Sequence, residues 1–380
     1  MPKVVKTGLG KVLQKRGAKA GQNRKTFLWK GPETDGITQS LLSRFIVCRE
    51  RFRLYALEGL SEAEGFNKHL EYGNMWHVCE EATAGNNDWR EPLREYAASL
   101  CRRYPLQQHD IDKWFNVCRY QYPIYLEYWK GHSDVLEREP ICQEQVFHVP
   151  YKLPSGRIVT LRGKWDSVDV IGKGKKAQVY LQENKTKGDI NEQQLLRQLS
   201  SGFDLQTMLY IVAWEESPDS GYVSEGHMAS DVPPYPTGGV RYNVIRRPLS
   251  GGKGTIKQKE PNKTNPRGET AEEYYARLAQ YIVDEPGYFF MRWKVDIDQT
   301  AIERFKKDFL NPCLEQLCDW WQVMNGGQVS PYASDYQHYR LPFGVYNPII
   351  DGGSSDLDEY LQTGSEVGLT RVETLFPELV

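Results

Sequence analysis

The sequence lacks the features that would place the protein in a membrane or outside the cell. No uninterrupted apolar run approaches the roughly 18–20 residues that a transmembrane helix needs. The first residues contain no apolar stretch of the kind found in a signal peptide. The seven cysteines are an odd number scattered over 380 residues, which does not resemble a secreted disulfide framework. We therefore expect a soluble, cytoplasmic protein with no membrane partner.

The chain also lacks a large net charge, but its charges are unevenly distributed. The formal net charge is −2 at pH 7. Residues 1–30 contain nine Lys or Arg and no acidic residue, whereas residues 351–380 contain seven Asp or Glu and one Arg. These ends predict a basic, flexible arm over 1–36 and an acidic tail over 346–380, around one domain over 37–345. Solvated termini, an arm that contacts a polyanion and a targeting presequence all remain open as explanations of the basic end.

Hydrophobic spacing predicts helices first, then strands, then both. Helical spacing is found near 38–59, 62–84, 89–103, 111–130, 192–199, 204–214, 271–283 and 298–324. The fourth of these helices is expected to be interrupted or kinked at Pro123. Strands are predicted near 141–150, 157–171, 177–185, 239–246 and 288–295, and a Gly/Lys-rich loop over 250–268. This order predicts an α/β fold, in which a mixed central β-sheet is flanked by helices.

The strand near 177–185 brings two charged side chains to one face. Side chains alternate along a strand, so Glu183 and Lys185 share a face with the apolar Leu181. Burying either charge alone is costly, so a partner is expected: a metal ion with an anionic substrate, or an ordinary ion pair. Asp166 on the preceding strand could join Glu183 in binding a hard cation such as Mg²⁺.

Two helices contribute further polar residues in regular spacing. Gly73, His77 and Glu81 recur every four residues, on one face of a helix. Gln206 and Tyr210 are also four residues apart and flank an apolar stripe that should face the core. Each of these residues alone has an ordinary structural explanation. Their combination in this order is much less expected by chance.

The combined motifs resemble a known family. Gly73-xxx-His77, Gly163-xx-Asp166, Glu183-x-Lys185 and Gln206-xxx-Tyr210 together resemble the RecB-type branch of the PD-(D/E)XK nuclease superfamily. The resemblance is strongest over 72–215 and includes similarity to phage-encoded exonucleases. It implies a restriction-endonuclease-like core with a helical N-terminal portion.

The resemblance also implies roles for individual residues. Mg²⁺ or Mn²⁺ would be bound by His77, Asp166, Glu183 and the backbone carbonyl of Asn184. Lys185 would position or deprotonate the attacking water, and a neighbouring metal ion should lower the pKa of Lys185. Gln206 and Tyr210 would support the site or touch DNA.

The chain departs from those relatives that carry a four-cysteine iron–sulfur cluster. Cys48 resembles the first ligand of that cluster, but residues 334–347 contain no cysteine. Cys313 and Cys318 are five residues apart and do not share a helix face. We therefore expect no iron–sulfur cluster.

We predict a metal-dependent deoxyribonuclease, more specifically an exonuclease that serves recombination or replication of a phage or mobile element, in the host cytoplasm if phage-encoded. A recombination or replication protein is a candidate partner. The candidate DNA contacts are the N-terminal arm, Arg246, Arg247, Lys253, Lys257 and Lys259. The acidic tail could compete with DNA for the same basic surface. The alternatives are an inactive nuclease-fold subunit for DNA binding or assembly, and a small-molecule or RNA-processing enzyme.

Overall fold

The fold is built around one large β-sheet. The computed structural model describes residues 27–62, 65–190, 193, 204–217, 235–249, 255–326, 363–376 and 379. The strands in this part of the chain are β1 (Leu60–Glu62), β2 (Arg138–Lys152), β3 (Ile158–Ile171), β4 (Gln178–Lys187), β5 (Thr237–Arg246), β6 (Phe290–Asp296) and β7 (Leu369–Arg371). The large sheet has the order β2-β3-β4-β5-β6, and β1 pairs with β7. All neighbours in the large sheet are antiparallel except β4 and β5, which are parallel.

Helices flank this sheet and occupy most of the chain before it. They are α1 (Gln39–Val47), α2 (Arg49–Glu58), α3 (Lys68–Ala84), α4 (Arg90–Arg103), α5 (Gln108–Lys130), α6 (Ser133–Leu136), α7 (Leu205–Glu216), α8 (Ala271–Asp284), α9 (Pro286–Phe289), α10 (Gln299–Phe305) and α11 (Asn311–Asn325). A π-helical turn, Lys306–Leu310, joins α10 to α11. The predicted helix near 192–199 lies outside the described residues, except for residue 193.

The buried side chains form two main hydrophobic clusters. One cluster joins strands β2, β3 and β4 to helices α1, α2, α7 and α11. The other joins helices α3, α4, α5 and α8 to the ends of β5 and β6, through Ile245 and Phe290. Burial of this apolar surface is the main force that holds the helices on the sheet. The predicted fold class, a mixed sheet flanked by helices, is confirmed.

The predicted helix over 38–59 is two helices, because the chain turns at Cys48. Cys48 has an extended backbone, with φ of −158° and ψ of 108°, between α1 and α2. Its sulfur accepts a hydrogen bond from the Arg51 backbone N–H at 3.2 Å, which caps the second helix. Hydrophobic spacing continues across this break because both helices pack on the same cluster.

Helix α5 runs through Pro123 without interruption, contrary to one of the two expectations for that residue. The proline removes one backbone hydrogen bond. Tyr122, Tyr125 and Trp129 on either side of it are buried, and this packing offsets the loss.

Parts of the predicted arm and tail pack against the domain. The Trp29 side chain is fully buried, and its indole N–H donates to the Gly36 carbonyl at 2.8 Å. Strand β7 pairs antiparallel with β1, with Leu60 opposite Arg371. Residues 1–26 and 346–362 lie outside the described residues. Among the described helices, none has the length and hydropathy needed to span a membrane.

Candidate active site

Strand β4 and helix α7 hold three polar side chains together. The Lys185 ammonium donates to Glu183 Oε2 at 3.0 Å and to Gln206 Oε1 at 2.9 Å. The Gln206 amide donates to the same Glu183 oxygen at 3.0 Å. Alternation along β4 places Glu183 and Lys185 on one face, as the sequence predicts, and α7 meets that face through Gln206. The structure therefore brings these three predicted residues into one hydrogen-bonded group.

Burial and mutual charge shift the pKa values of this group. Burial raises the pKa of Glu183 to about 7, although the Lys185 charge acts in the opposite direction. Burial alone would lower the pKa of Lys185, but the carboxylates of Glu183 and Asp166 raise it. The expectation of a lowered pKa assumed a cation next to Lys185. With carboxylates as its neighbours, Lys185 is a charged ammonium at neutral pH.

Asp166 belongs to β3, and its side chain lies between β4 and helix α3. Its Oδ2 accepts a hydrogen bond from the Asn184 backbone N–H at 2.6 Å. The Asn184 side chain is engaged elsewhere, because its Oδ1 accepts from the Asn243 amide at 2.7 Å. Only the backbone of Asn184 therefore reaches this part of the site. Burial raises the pKa of Asp166, while the His77 charge opposes that shift.

Helix α3 brings His77 to the same aspartate. His77 Nδ1 lies 3.9 Å from Asp166 Oδ1 and 3.4 Å from Glu144 Oε1. Burial alone would lower the pKa of His77, but the charges of Asp166 and Glu144 and the hydrogen bond to Glu144 raise it to about 9. Gly73, one turn before His77, faces β4, where a Cβ would make an ordinary contact with Thr186 Oγ1 at 3.4 Å.

Glu144 is a site residue that the sequence motifs do not include. Strands β2 and β3 pair on either side of it, Gln143 with Ser167 and Gln145 with Trp165, so that Glu144 lies opposite Asp166. Its φ of 48° is in the left-handed region, which is uncommon for residues other than glycine. No sequence motif marks it.

Lys164 and two further glutamates surround Glu144. The Lys164 ammonium lies 3.0 Å from Glu144 Oε2 and 3.0 Å from Glu81 Oε2. Glu80 Oε1 is buried and has no hydrogen-bond partner among the described residues. Burial and the Glu144 charge raise the pKa of Glu80 to about 7. The four-residue spacing of His77 and Glu81 predicted that both lie on this face of α3. No sequence pattern predicted a role for Glu80.

Tyr210 packs beside the site against aromatic side chains of β2 and β3. Its ring meets the Phe147 ring edge-on, with the ring centres 5.2 Å apart, and its carbonyl accepts from the Trp165 indole at 3.3 Å. A Cβ on Gly163 would lie 2.6 Å from Phe147 Cζ and 2.9 Å from Tyr210 Cε1. Gly163 is therefore required for close packing of β3 against α7.

The predicted DNA contacts have different surroundings. Arg246 is only 4% exposed, and its guanidinium donates to Asp189 and to the Tyr288 carbonyl. The Arg247 guanidinium donates at 3.0 Å to the carbonyl of Thr186, the residue that follows Lys185 in β4. Lys257 and Lys259 are exposed in the segment before α8, and Lys253 lies outside the described residues. The structure thus does not bring Arg246 to the surface with the lysines.

The donor atoms suit a hard divalent cation. One nitrogen of His77 and one oxygen each of Glu144 and Asp166 lie within 4.8 Å of one another. Carboxylate oxygens are preferred by Mg²⁺, and Mn²⁺ also accepts imidazole nitrogen. Glu80 Oε1, which is buried and has no hydrogen-bond partner among the described residues, is a further carboxyl oxygen near Glu144. The residues present therefore fit the metal ion that the motifs imply.

The chain matches the model of a known family. The model of the PD-(D/E)XK nuclease superfamily matches residues 37–323, a range that contains the whole large sheet and every residue of the site. No curated protein matches the chain. The mixed five-stranded sheet flanked by helices is that of a restriction-endonuclease-like core. The chain belongs to the PD-(D/E)XK nuclease superfamily.

Proposed function

We propose that this protein is a deoxyribonuclease that depends on Mg²⁺ or Mn²⁺. More specifically, we propose an exonuclease of the RecB-type branch that acts in recombination or replication of a phage or mobile element. Membership of the superfamily implies metal-dependent hydrolysis of phosphodiester bonds. The observation that carries the proposal is the hydrogen-bonded group of Glu183, Lys185 and Gln206, with Asp166 beside it. An inactive member of the fold would have no need to keep a buried ammonium between these groups.

His77, Asp166 and Glu183 would hold the metal ion, together with the backbone carbonyl of Asn184. A bound divalent cation would polarise the phosphate and lower the pKa of a bound water. His77 has to lose its proton to act as a ligand, because imidazole binds metals only in its neutral form. Among the described residues, the hydrogen bonds to Glu183 go to Oε2, so Oε1 is the oxygen that would serve as a ligand.

Lys185 would act on the phosphate and on the nucleophile. Its ammonium is held in one place by Glu183 and Gln206, so no reorganisation is needed when negative charge develops on the phosphoryl oxygens. As an ammonium, Lys185 would stabilise the phosphoryl charge and donate a hydrogen bond to the nucleophile.

DNA would be bound mainly through phosphate contacts, with steep dependence on salt concentration. Arg247 lies beside Thr186, next to the catalytic strand end, and Lys257 and Lys259 are exposed. The basic arm would add further contacts. We leave Arg246 out of this surface because its guanidinium is buried against Asp189 and Tyr288.

The test is digestion of end-labelled linear DNA, circular DNA and RNA by the full chain with Mg²⁺, Mn²⁺ or EDTA. We expect metal-dependent release of nucleotides from linear DNA only. Lys185→Ala should reduce the rate at least 10³-fold because the transition-state charge loses its cation, while DNA affinity stays within about threefold. Lys175→Ala, in the turn at the opposite end of β4, is the matched control and should retain full activity. Undiminished digestion by the Lys185 variant would overturn the assignment.

A further inference from the structure

Glu144 lies where a third carboxylate ligand of the metal ion would lie. Ligands of an octahedral cation with bonds of about 2.1 Å are about 3.0 Å apart when adjacent and about 4.2 Å apart when opposite. Glu144 Oε1 and Asp166 Oδ1 lie 3.4 and 3.9 Å from His77 Nδ1. One nitrogen of His77 and one oxygen each of Glu144 and Asp166 lie within 4.8 Å of one another. Glu144 therefore belongs to the same small donor cluster as the two residues that the sequence motifs identify.

The backbone holds this side chain in place at an energetic cost. A φ of 48° within a long strand is unfavourable for glutamate, and such conformations persist where the surrounding structure imposes them. The Glu144 side chain is only 4% exposed. A glutamate with no role beyond the strand would be better placed in water than buried opposite Asp166.

The two oxygens of Glu144 have different neighbours. Oε2 faces the Lys164 ammonium at 3.0 Å, while Oε1 faces His77. Lys164 is itself tied to Glu81 on α3, also at 3.0 Å. This division fixes the orientation of the carboxylate and directs Oε1 toward the donor cluster.

Carboxyl groups and basic side chains crowd together around the cluster. Glu144 and Asp166 both face His77. The Lys164 ammonium contacts both Glu144 and Glu81. Glu80 adds a carboxyl oxygen that is buried without a hydrogen-bond partner among the described residues. A divalent cation held by the donor atoms of His77, Glu144 and Asp166 would offset the cost of burying these carboxyl groups side by side.

We propose that Glu144 is a third carboxylate ligand of the metal ion and that Lys164 positions it. The proposal deepens the proposed function and depends on it for the identity of the ion. It concerns metal binding, so it can be measured without nuclease turnover.

The test is calorimetric titration of the metal-free full chain with Mn²⁺. Glu144→Gln keeps the shape and a hydrogen-bond acceptor for Lys164 but removes the anionic ligand, so the Mn²⁺ dissociation constant should rise at least tenfold. Glu81→Gln is the control, because it removes an equal charge from another partner of Lys164. Its Mn²⁺ dissociation constant should stay within twofold of the wild-type value. A Mn²⁺ dissociation constant for Glu144→Gln within twofold of the wild-type value would overturn the proposal.

A second variant tests the role of Lys164 and guards against misfolding of the first. Lys164→Met leaves the Glu144 charge in place but releases its orientation, so Mn²⁺ should bind about three- to tenfold more weakly. Equal or tighter binding would show that Lys164 is only a competing cation and would reject its positioning role. Thermal melting without metal serves as the folding control for both variants.

Asp166→Asn separates a failure of this inference from a failure of the proposed function. If Asp166→Asn loses both Mn²⁺ binding and digestion while Glu144→Gln binds normally, the nuclease assignment stands and the Glu144 inference fails. If wild type binds Mn²⁺ through Glu144 but digests no DNA, the ligand assignment stands and the proposed function fails.

Discussion

At the residue scale, Gln206 makes it possible to bury a lysine and a glutamate side by side. An amide offers both a donor and an acceptor, so Gln206 donates to Glu183 and accepts from Lys185 without adding charge. A carboxylate at this position would repel Glu183, and an ammonium would repel Lys185. The helical spacing of Gln206 predicted its place beside the core, but the partner of its amide depends on how α7 lies across β4.

Gly163 gives a prediction that does not depend on the proposed function. Gly163→Ala places a Cβ 2.6 Å from Phe147 Cζ and 2.9 Å from Tyr210 Cε1, so both rings have to move. Overpacking of this kind should lower the free energy of unfolding by about 1–3 kcal/mol, measured by urea denaturation. Gly131→Ala is the matched control, because a Cβ there meets nothing within 4 Å and the stability should change little. An unchanged urea midpoint for Gly163→Ala would contradict the packing argument.

At the element scale, strands β4 and β2 show what a sequence pattern can and cannot predict. Alternation along β4 requires only an extended chain, so it predicted correctly that Glu183 and Lys185 share a face. Glu144 on β2 has a left-handed backbone, which interrupts the alternation at that residue. The direction of the Glu144 side chain is set by the pairing of β2 with β3 and by contacts with α3. No local sequence pattern predicts these long-range contacts. The break at Cys48 was missed for the same reason, since hydrophobic spacing does not reveal a backbone turn.

The segment before α8 supplies a prediction of pH dependence. Hydrogen bonds from Arg277, and from the Lys259 backbone, lower the pKa of Glu269 from its ordinary 4.5 to about 2. The folded state therefore binds this proton more weakly than the unfolded state, so the carboxylate contributes its full stability above about pH 4.5 and loses it as the pH falls toward 2. Glu269→Gln should lower the free energy of unfolding by about 1–3 kcal/mol at pH 7.

The measurement is urea denaturation of both proteins from pH 7 to pH 2.5. The difference between Glu269→Gln and wild type should shrink as the pH falls below 4.5. Glu260→Gln, at an exposed position in the same segment, is the control and should show no such trend. A difference that stays constant down to pH 2.5 would rule out the ionised carboxylate as the source of stability.

At the scale of the whole molecule, the site exists because distant segments converge on one sheet. His77, Asp166, Glu183 and Gln206 come from a helix, two strands and another helix, and the antiparallel pairing of β3 with β4 brings the two carboxylates close. The change from helical to strand periodicity predicted this architecture. The pairing of β1 with β7 was not predicted, since three-residue strands more than 300 residues apart carry no periodic signal. Pairing of such remote segments is decided by the tertiary fold alone.

The acidic end of the chain provides a prediction about DNA binding. Deleting residues 351–380 would not isolate its charge, because Leu375 and Phe376 are buried in the core and β7 pairs with β1. Neutralising Asp351, Asp356, Asp358 and Glu359 to their amides removes charge without removing these contacts. If the tail competes with DNA for the basic surface, the neutralised protein should bind DNA about three- to tenfold more tightly at low salt, with the gain fading at high salt as the charges are screened.

Binding is best measured by fluorescence anisotropy in the Lys185→Ala background without metal, so that no DNA is cleaved. A protein neutralised at four exposed acids of the helical portion has the same net charge and serves as control: Glu91, Glu95, Asp112 and Glu127. General electrostatics would tighten binding equally in both proteins, since it depends on total charge. Competition by the tail requires that the first protein gain more affinity than the second, and equal gains would mean that the acidic residues act only through net charge.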